Sequence, residues 1–253
     1  MPAALVTGAT RRAGIAAAVV RALRRDGWEV TTTGFRAYDA SEPWGSDARE
    51  AEEIAGPGRF NEDDLGDPSA PARVLDAAEA AAGPLAALVA CHTESRLGGI
   101  LDTSADAFDR HVSVNARSVL LLAAEFARRF RGEPGAGRIV AFTSGALHGE
   151  IAYGASKAAL ERVVVAAAAE LGPLGITVNA INPGVTDTGW ISAELRERFE
   201  EQSPLGRVGR PEDAAELVAF LCSPRGAWIN GQILTSDGGA SVGPTLRRGR
   251  EPT

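Results

Sequence analysis

Short apolar runs alternate with longer segments of helical periodicity along the whole chain. Residues 3–7, 29–33, 85–91, 138–143, 177–181 and 232–235 are too short for helices and read as buried strands, with 58–60 as a weaker seventh. Between them, 15–25, 71–82, 105–130, 153–171 and 212–221 space their apolar positions for helices. Gly27, Gly83, Gly132 and Gly172 punctuate the ends of the first four helices. Strand–helix alternation predicts right-handed crossovers and a parallel sheet covered on both faces. The stretch 36–58, rich in Ser, Glu, Gly and Pro, reads as a loosely ordered crossover. The tail 243–253 reads as a frayed terminus, or as an arm over substrate or a neighbouring subunit. A (β/α)₈ barrel has a similar length, but the glycine loop after the first strand and one long mid-chain helix favour an open sheet.

Composition narrows the class. The 253 residues are 45% hydrophobic and 23% charged, as expected of a globular core. No apolar run approaches the ~18 residues of a membrane span. Cys91 and Cys222 set up no disulfide framework, and the first residues lack the basic start of a secretory leader. A net charge of −7 gives no basic footprint for nucleic acid. The expectation is a cytoplasmic protein without membrane or nucleic-acid partners, with residues 1–242 as one domain.

One count changes the picture. Among 26 basic residues, Lys157 is the only lysine. An ammonium offers a compact charge and a shiftable pKa, which guanidinium does not. Tyrosine occurs only at 38 and 153, and Tyr153 stands four residues before Lys157. On a helix that spacing puts phenol and ammonium on one face. A free phenol has a pKa near 10, and a nearby positive charge lowers it towards useful acid–base chemistry.

The first strand runs into Thr7-Gly8-Ala9-Thr10-Arg11-Arg12-Ala13-Gly14-Ile15-Ala16 and then a helix. Small residues there let backbone N–H groups approach a pyrophosphate, and the helix N-terminus adds partial positive charge. An acidic residue at the end of the second strand would select NAD, but that place holds Gly34, followed by Phe35 and Arg36. Arg12 and Arg36 suit a 2′-phosphate, which favours NADP(H). Asp39 lies near enough to turn back to a ribose, so NAD(H) stays open.

With these motifs the chain resembles the short-chain dehydrogenase/reductase family to about Gly239, in its 3-oxoacyl-carrier-protein reductase-like form. The resemblance implies a single-domain Rossmann fold, a doubly wound seven-stranded parallel sheet with helices on both faces. Tyr153-Gly154-Ala155-Ser156-Lys157 matches the family's Tyr-x-x-x-Lys, with Ser144 as the substrate-orienting serine and Asn115 as the asparagine that bends the long helix and relays protons to Lys157. Gly14-Ile15-Ala16 aligns with the family's Gly-Ile-Gly after a two-residue insertion; without the gap, Arg12 would occupy a glycine position. Gly8, Thr10, Arg11, Arg12, Gly14, Ile15, Arg36, Asp64, Leu65, Ala90, Pro183, Gly184, Thr186 and Thr188 become the implied cofactor contacts, joined by Tyr153 and Lys157. The family's Asn-Asn-Ala-Gly is replaced by Ala90-Cys91-His92-Thr93, which puts a titratable His92 at the mouth of the sheet. His92, His148 and Trp190 are candidate substrate contacts, and three scattered histidines make no metal site. The implied reaction is carbonyl reduction on a small-molecule or acyl-thioester substrate by a homotetramer or dimer. The alternatives are a dedicated 3-oxoacyl-carrier-protein reductase and a nucleotide-sensing binding protein that has lost catalysis.

Overall fold

The computed structural model describes residues 1–133, 135–145 and 149–242. One seven-stranded sheet has the order β3-β2-β1-β4-β5-β6-β7. Its strands are β1 Ala3–Thr7, β2 Glu29–Gly34, β3 Phe60–Glu62, β4 Leu85–Ala90, β5 Gly137–Phe142, β6 Ile176–Asn182 and β7 Ile233–Thr235, every pairing parallel. The helices are α1 Ile15–Arg25, α2 Arg36–Ala40, α3 Ala48–Ala55, α4 Ala70–Ala82, α5 Ala105–Val112, α6 Ser118–Arg129, α7 Ile151–Leu171, α8 Ala193–Gln202 and α9 Pro211–Cys222.

The strands read as continuous apolar runs because both faces are buried. Leu5, Ile139 and Ala141 point into one core, with Leu75, Leu122, Phe126 and Leu160 from α4, α6 and α7. Val6, Val140 and Phe142 point into the other, with Val19, Leu23, Val218 and Leu221 from α1 and α9. Strand order reverses between β1 and β4, and ligands of such sheets bind outside the strand C-termini at that switch point.

Three expectations are corrected. The crossover 36–58 is not loosely ordered but holds α2 and α3, with Ala51, Ile54 and Ala55 buried and the Asp47 side chain accepting from Arg49 N at 2.8 Å. The weak strand lies at Phe60–Glu62 rather than 58–60, where it pairs with Thr32–Gly34. The long helix is interrupted by a π-helical turn, Ser113–Arg117, between α5 and α6. α8 escaped the reading because none of its residues is buried, so it shows no apolar period.

Candidate active site

The glycine loop sits at the switch point and fits a dinucleotide phosphate. Gly8 has φ +75°, and a Cβ there would stand 2.7 Å from the His92 backbone. The loop therefore lies flush against the end of β4, which a side chain at residue 8 would prevent. α1 begins at Ile15 behind Gly14, with no side-chain cap and no acidic residue in its first turn. Its free N–H groups and dipole suit an anion. Gly34 closes the opposite wall: a Cβ there would meet Thr10 Cγ2 at 2.3 Å, so the NAD-selecting carboxylate has no room without a shift of Thr10.

The three arginines around this loop have different partners. Arg12 pairs with Glu53, and its backbone N–H donates to Glu50 Oε1 at 2.5 Å. Arg36 forks onto Glu62, whose carboxyl it holds below the ordinary range. The expected 2′-phosphate pair thus sits on separate carboxylates, each of which a phosphate has to displace. Among the described residues no ion pair holds Arg11: it lies over the Trp44 ring at 4.3 Å and donates to Thr188 O at 2.9 Å, spanning from the glycine loop to the segment after β6. Asp39 is buried and accepts from Trp44 Nε1 at 3.0 Å, which uses the carboxylate that sequence alone left free for a ribose. Asp64 accepts from Gly66 N and pairs with Arg110, both at 2.8 Å. Leu65 and Ala90 are buried in the first core, lending only backbone to the crevice.

The predicted acid–base residues converge at the same edge of the sheet. Lys157 is 2% exposed and donates from Nζ to the carbonyl of Phe142, the last residue of β5, at 2.9 Å. Burial lowers its pKa to about 8. Its ammonium lies 5.6 Å from the centre of the Tyr153 ring. Burial raises the Tyr153 phenol above its ordinary value; a hydrogen bond with Ser144 opposes this, Glu150 adds to it, and a hydrogen bond with Thr93 opposes it again. Ser144 and Tyr153 are therefore joined across a nine-residue separation, shorter than the resemblance leads one to expect.

Asn115 occupies the π turn, whose extra residue turns its amide towards the β4–α5 loop. Nδ2 donates to Glu94 O at 2.8 Å and Ser156 Oγ at 2.9 Å, while Oδ1 accepts from Glu94 N at 2.8 Å and Thr93 Oγ1 at 3.2 Å. The amide thus clamps residues 93–94 and makes no direct bond to Lys157.

His92 is corrected from substrate contact to structural bridge. Nδ1 meets Thr7 Oγ1 at 2.6 Å, and Nε2 meets Ser118 Oγ at 2.7 Å and Val114 O at 3.1 Å. Both ring nitrogens are used in tying β1 and β4 to the π turn. Burial, with the charge of Lys157, lowers its pKa to about 3, so the ring is neutral. His148 lies outside the described residues. Gly184 (φ +61°) packs so closely on Asp237 that a Cβ would come within 2.4 Å. Pro183 O accepts from Thr186 Oγ1 at 3.2 Å, fixing the turn that leads to Thr188. Trp190 donates to Thr186 O at 3.0 Å and packs edge-on against Phe199 of α8, so it anchors this loop while staying half-exposed. Among the described residues no His, Cys, Asp and Glu cluster could hold a metal.

Sequence reasoning passed over Thr93 and Glu150. Both have a signal in the sequence: Thr93 stands where the resemblance expects a glycine, and Glu150 is a carboxylate three residues before Tyr153, which the structure places at the N-cap of α7.

Residues 8–241 match a family profile described as Enoyl-(Acyl carrier protein) reductase. The Bacillus subtilis oxidoreductase YjdA is 37% identical over 244 residues, covering 93% of this chain and 95% of that protein. A chloroplastic NADPH-dependent aldehyde reductase-like protein of Arabidopsis thaliana is 39% identical over 186 residues, covering 69% and 68%. The crystal structure of a short-chain dehydrogenase from Burkholderia cenocepacia in complex with NADP superposes with a TM-score of 0.83 at 34% identity, covering 95% and 98%. Matches of this extent over the glycine loop, the parallel sheet and the Tyr-x-x-x-Lys helix make the chain an oxidoreductase of the short-chain dehydrogenase/reductase family.

Proposed function

We propose that this protein is an NADP(H)-dependent reductase that converts a ketone or related carbonyl to an alcohol, with Ser144, Tyr153, Lys157 and Asn115 as its acid–base set. The observation that carries this reading is the joining of Ser144 and Tyr153 above a buried Lys157, beside a glycine loop that leads to an acid-free helix N-terminus. The bound nicotinamide would supply the hydride. Gly8, Gly14 and the α1 N-terminus would hold its pyrophosphate, Pro183, Gly184, Thr186 and Thr188 its carboxamide end, and Lys157 its ribose.

Ser144 donates to the substrate oxygen as negative charge grows there. Tyr153 then gives that oxygen its proton. Burial and Glu150 keep the phenol protonated until then, as an acid for reduction requires. Lys157, with its pKa near 8, carries charge at neutral pH and steadies the phenolate that remains. Asn115 holds the loop that closes the site beside Tyr153.

NADP(H) is favoured over NAD(H) because Gly34 excludes the competing carboxylate, Asp39 is already spent on Trp44, and among the described residues no ion pair holds Arg11, which rests on Trp44. The NADP held by the Burkholderia relative and the NADPH dependence in the Arabidopsis protein's name agree with this choice. We assign the activity to residues 1–242 and to a cytoplasmic homo-oligomer, a tetramer or dimer. The test is oxidation of NADPH and NADH by the purified protein against ketones, aldehydes, quinones and β-ketoacyl thioesters. Ketone-dependent oxidation of NADPH in preference to NADH is expected; no oxidation with any carbonyl would refute the reading.

A further inference from the structure

Glu94 is held from two sides. Its main chain is gripped by the Asn115 amide, which donates to Glu94 O and accepts from Glu94 N, both at 2.8 Å. These are the two shortest bonds that Asn115 makes. A third runs to Ser156 Oγ at 2.9 Å, and that hydroxyl donates to the carbonyl of Tyr153 at 2.7 Å. The Glu94 side chain is 7% exposed, and its carboxylate accepts from Arg96 Nε at 3.2 Å and Arg110 Nε at 3.1 Å. The outer ends of both guanidinium groups are fixed elsewhere. Arg110 reaches Asp64 after β3 at 2.8 Å, and Arg96 pairs with Glu42 and donates to Ser41 Oγ, just after α2, at 2.7 Å.

Glu94 is thus the carboxylate that the two arginines share. Without its charge, Arg110 is drawn outward to Asp64 and Arg96 to Glu42, and two like charges border the place where the carboxylate stood. A glutamine there is neutral, and its NH₂ faces a guanidinium N–H, donor against donor. We propose that Glu94 is a positioning residue: its carboxylate, anchored on Arg96 and Arg110, fixes the main-chain seat of the Asn115 amide and, through Ser156, the turn of α7 that carries Tyr153.

Its effect on turnover rests on Asn115 and Tyr153 belonging to the proposed acid–base set; the anchoring itself does not. Other ties keep the loop attached when Glu94 is changed. Tyr38 donates to Ser95 O at 3.1 Å, and the Arg96 backbone N–H donates to His111 Nε2 at 3.1 Å. Neither uses the Glu94 side chain, so a substitution there loosens the seat of Asn115 rather than unfolding the loop.

Amide hydrogen exchange at residue 94, localised by mass spectrometry on the full-length, cofactor-free protein, reads the bond from that N–H to Asn115 Oδ1. Glu94→Gln keeps the shape and loses the charge. Glu94→Asp keeps the charge on a shorter stem, which the long arginine side chains can follow. Glu94→Gln is expected to quicken exchange at residue 94 about tenfold, the effect of losing a hydrogen bond to a charge, while Glu94→Asp stays within about threefold of wild type. The Val178 amide, held by Asn230 Oδ1 at 2.9 Å, should not change in either. A wild-type rate at residue 94 in Glu94→Gln, an equal rise in Glu94→Asp, or an equal rise at Val178 would overturn the inference. Should Glu94→Gln fail to fold, Arg110→Gln removes one of the two donors from a less buried residue and must quicken the same amide, or the inference falls. In carbonyl reduction, Glu94→Gln should lower kcat about tenfold with the NADPH Kd held within about threefold, and a wild-type kcat would overturn the role. The exchange measurement needs neither cofactor nor turnover, so it separates a failure of Glu94 from a failure of the reductase reading.

Discussion

His92 links the fold to the site, and its burial carries a measurable cost in acid. The neutral ring joins Thr7 of β1 to Val114 of the π turn and Ser118 at the start of α6 through both nitrogens. Its pKa, about 3 in the folded chain, stands near 6.5 when unfolded. Above pH 6.5 both states are neutral and the bridge contributes fully. Below it the unfolded chain takes up a proton that the folded chain refuses, so stability falls with pH until the folded value is reached. At pH 4.5 the gap to 6.5 corresponds to about 2–3 kcal/mol at ~1.4 kcal/mol per unit. His92→Asn removes this titration. At pH 7 the variant should be less stable by about 1–3 kcal/mol, from polar groups left without partners. Urea unfolding of both proteins at fixed concentration, from pH 7 to pH 4.5, isolates the effect from the carboxylates they share. The stability gap should close as pH falls; a gap that stays constant would refute the neutral bridge.

Glu150→Gln removes a negative charge that acts on the Tyr153 phenol, so the phenol should titrate lower in the variant. Its ¹³Cζ titration checks this, and an unchanged midpoint would detach Glu150 from the site. Glu62→Gln frees Arg36 from its ion pair and removes a carboxylate near the 2′-phosphate position. NADPH affinity should rise several-fold, in the range of about 1 kcal/mol, with NADH affinity unchanged. Equal effects on both cofactors would show that Arg36 does not meet the phosphate.

Most of the architecture was legible because a parallel sheet buried on both faces leaves short apolar runs, and these stand out between amphipathic helices. The parts that were not legible lack that signal. α8 buries nothing. α3 is a short helix inside a stretch whose Gly, Pro and Ser content suggests a loop. The site divides in the same way. Tyr153 and Lys157 follow from helix spacing, which is local, while Ser144 rests on the resemblance at the end of β5. The roles of His92, Asp39 and Arg36 depend on partners 85, 5 and 26 residues away, and whether those partners occupy the side chain is a matter of tertiary packing. The hydroxyl of Thr93, beside a more conspicuous histidine, donates to Asn115 across 22 residues, which again only tertiary packing decides.

The claim that Tyr153 is the proton donor is tested most directly by Tyr153→Phe, with NADPH binding followed by fluorescence and carbonyl reduction by NADPH oxidation on the same preparation. Loss of the phenol should lower turnover by about 10²–10⁴-fold while the NADPH dissociation constant stays within about threefold. A phenylalanine variant that binds NADPH and reduces the carbonyl at the wild-type rate would contradict the account.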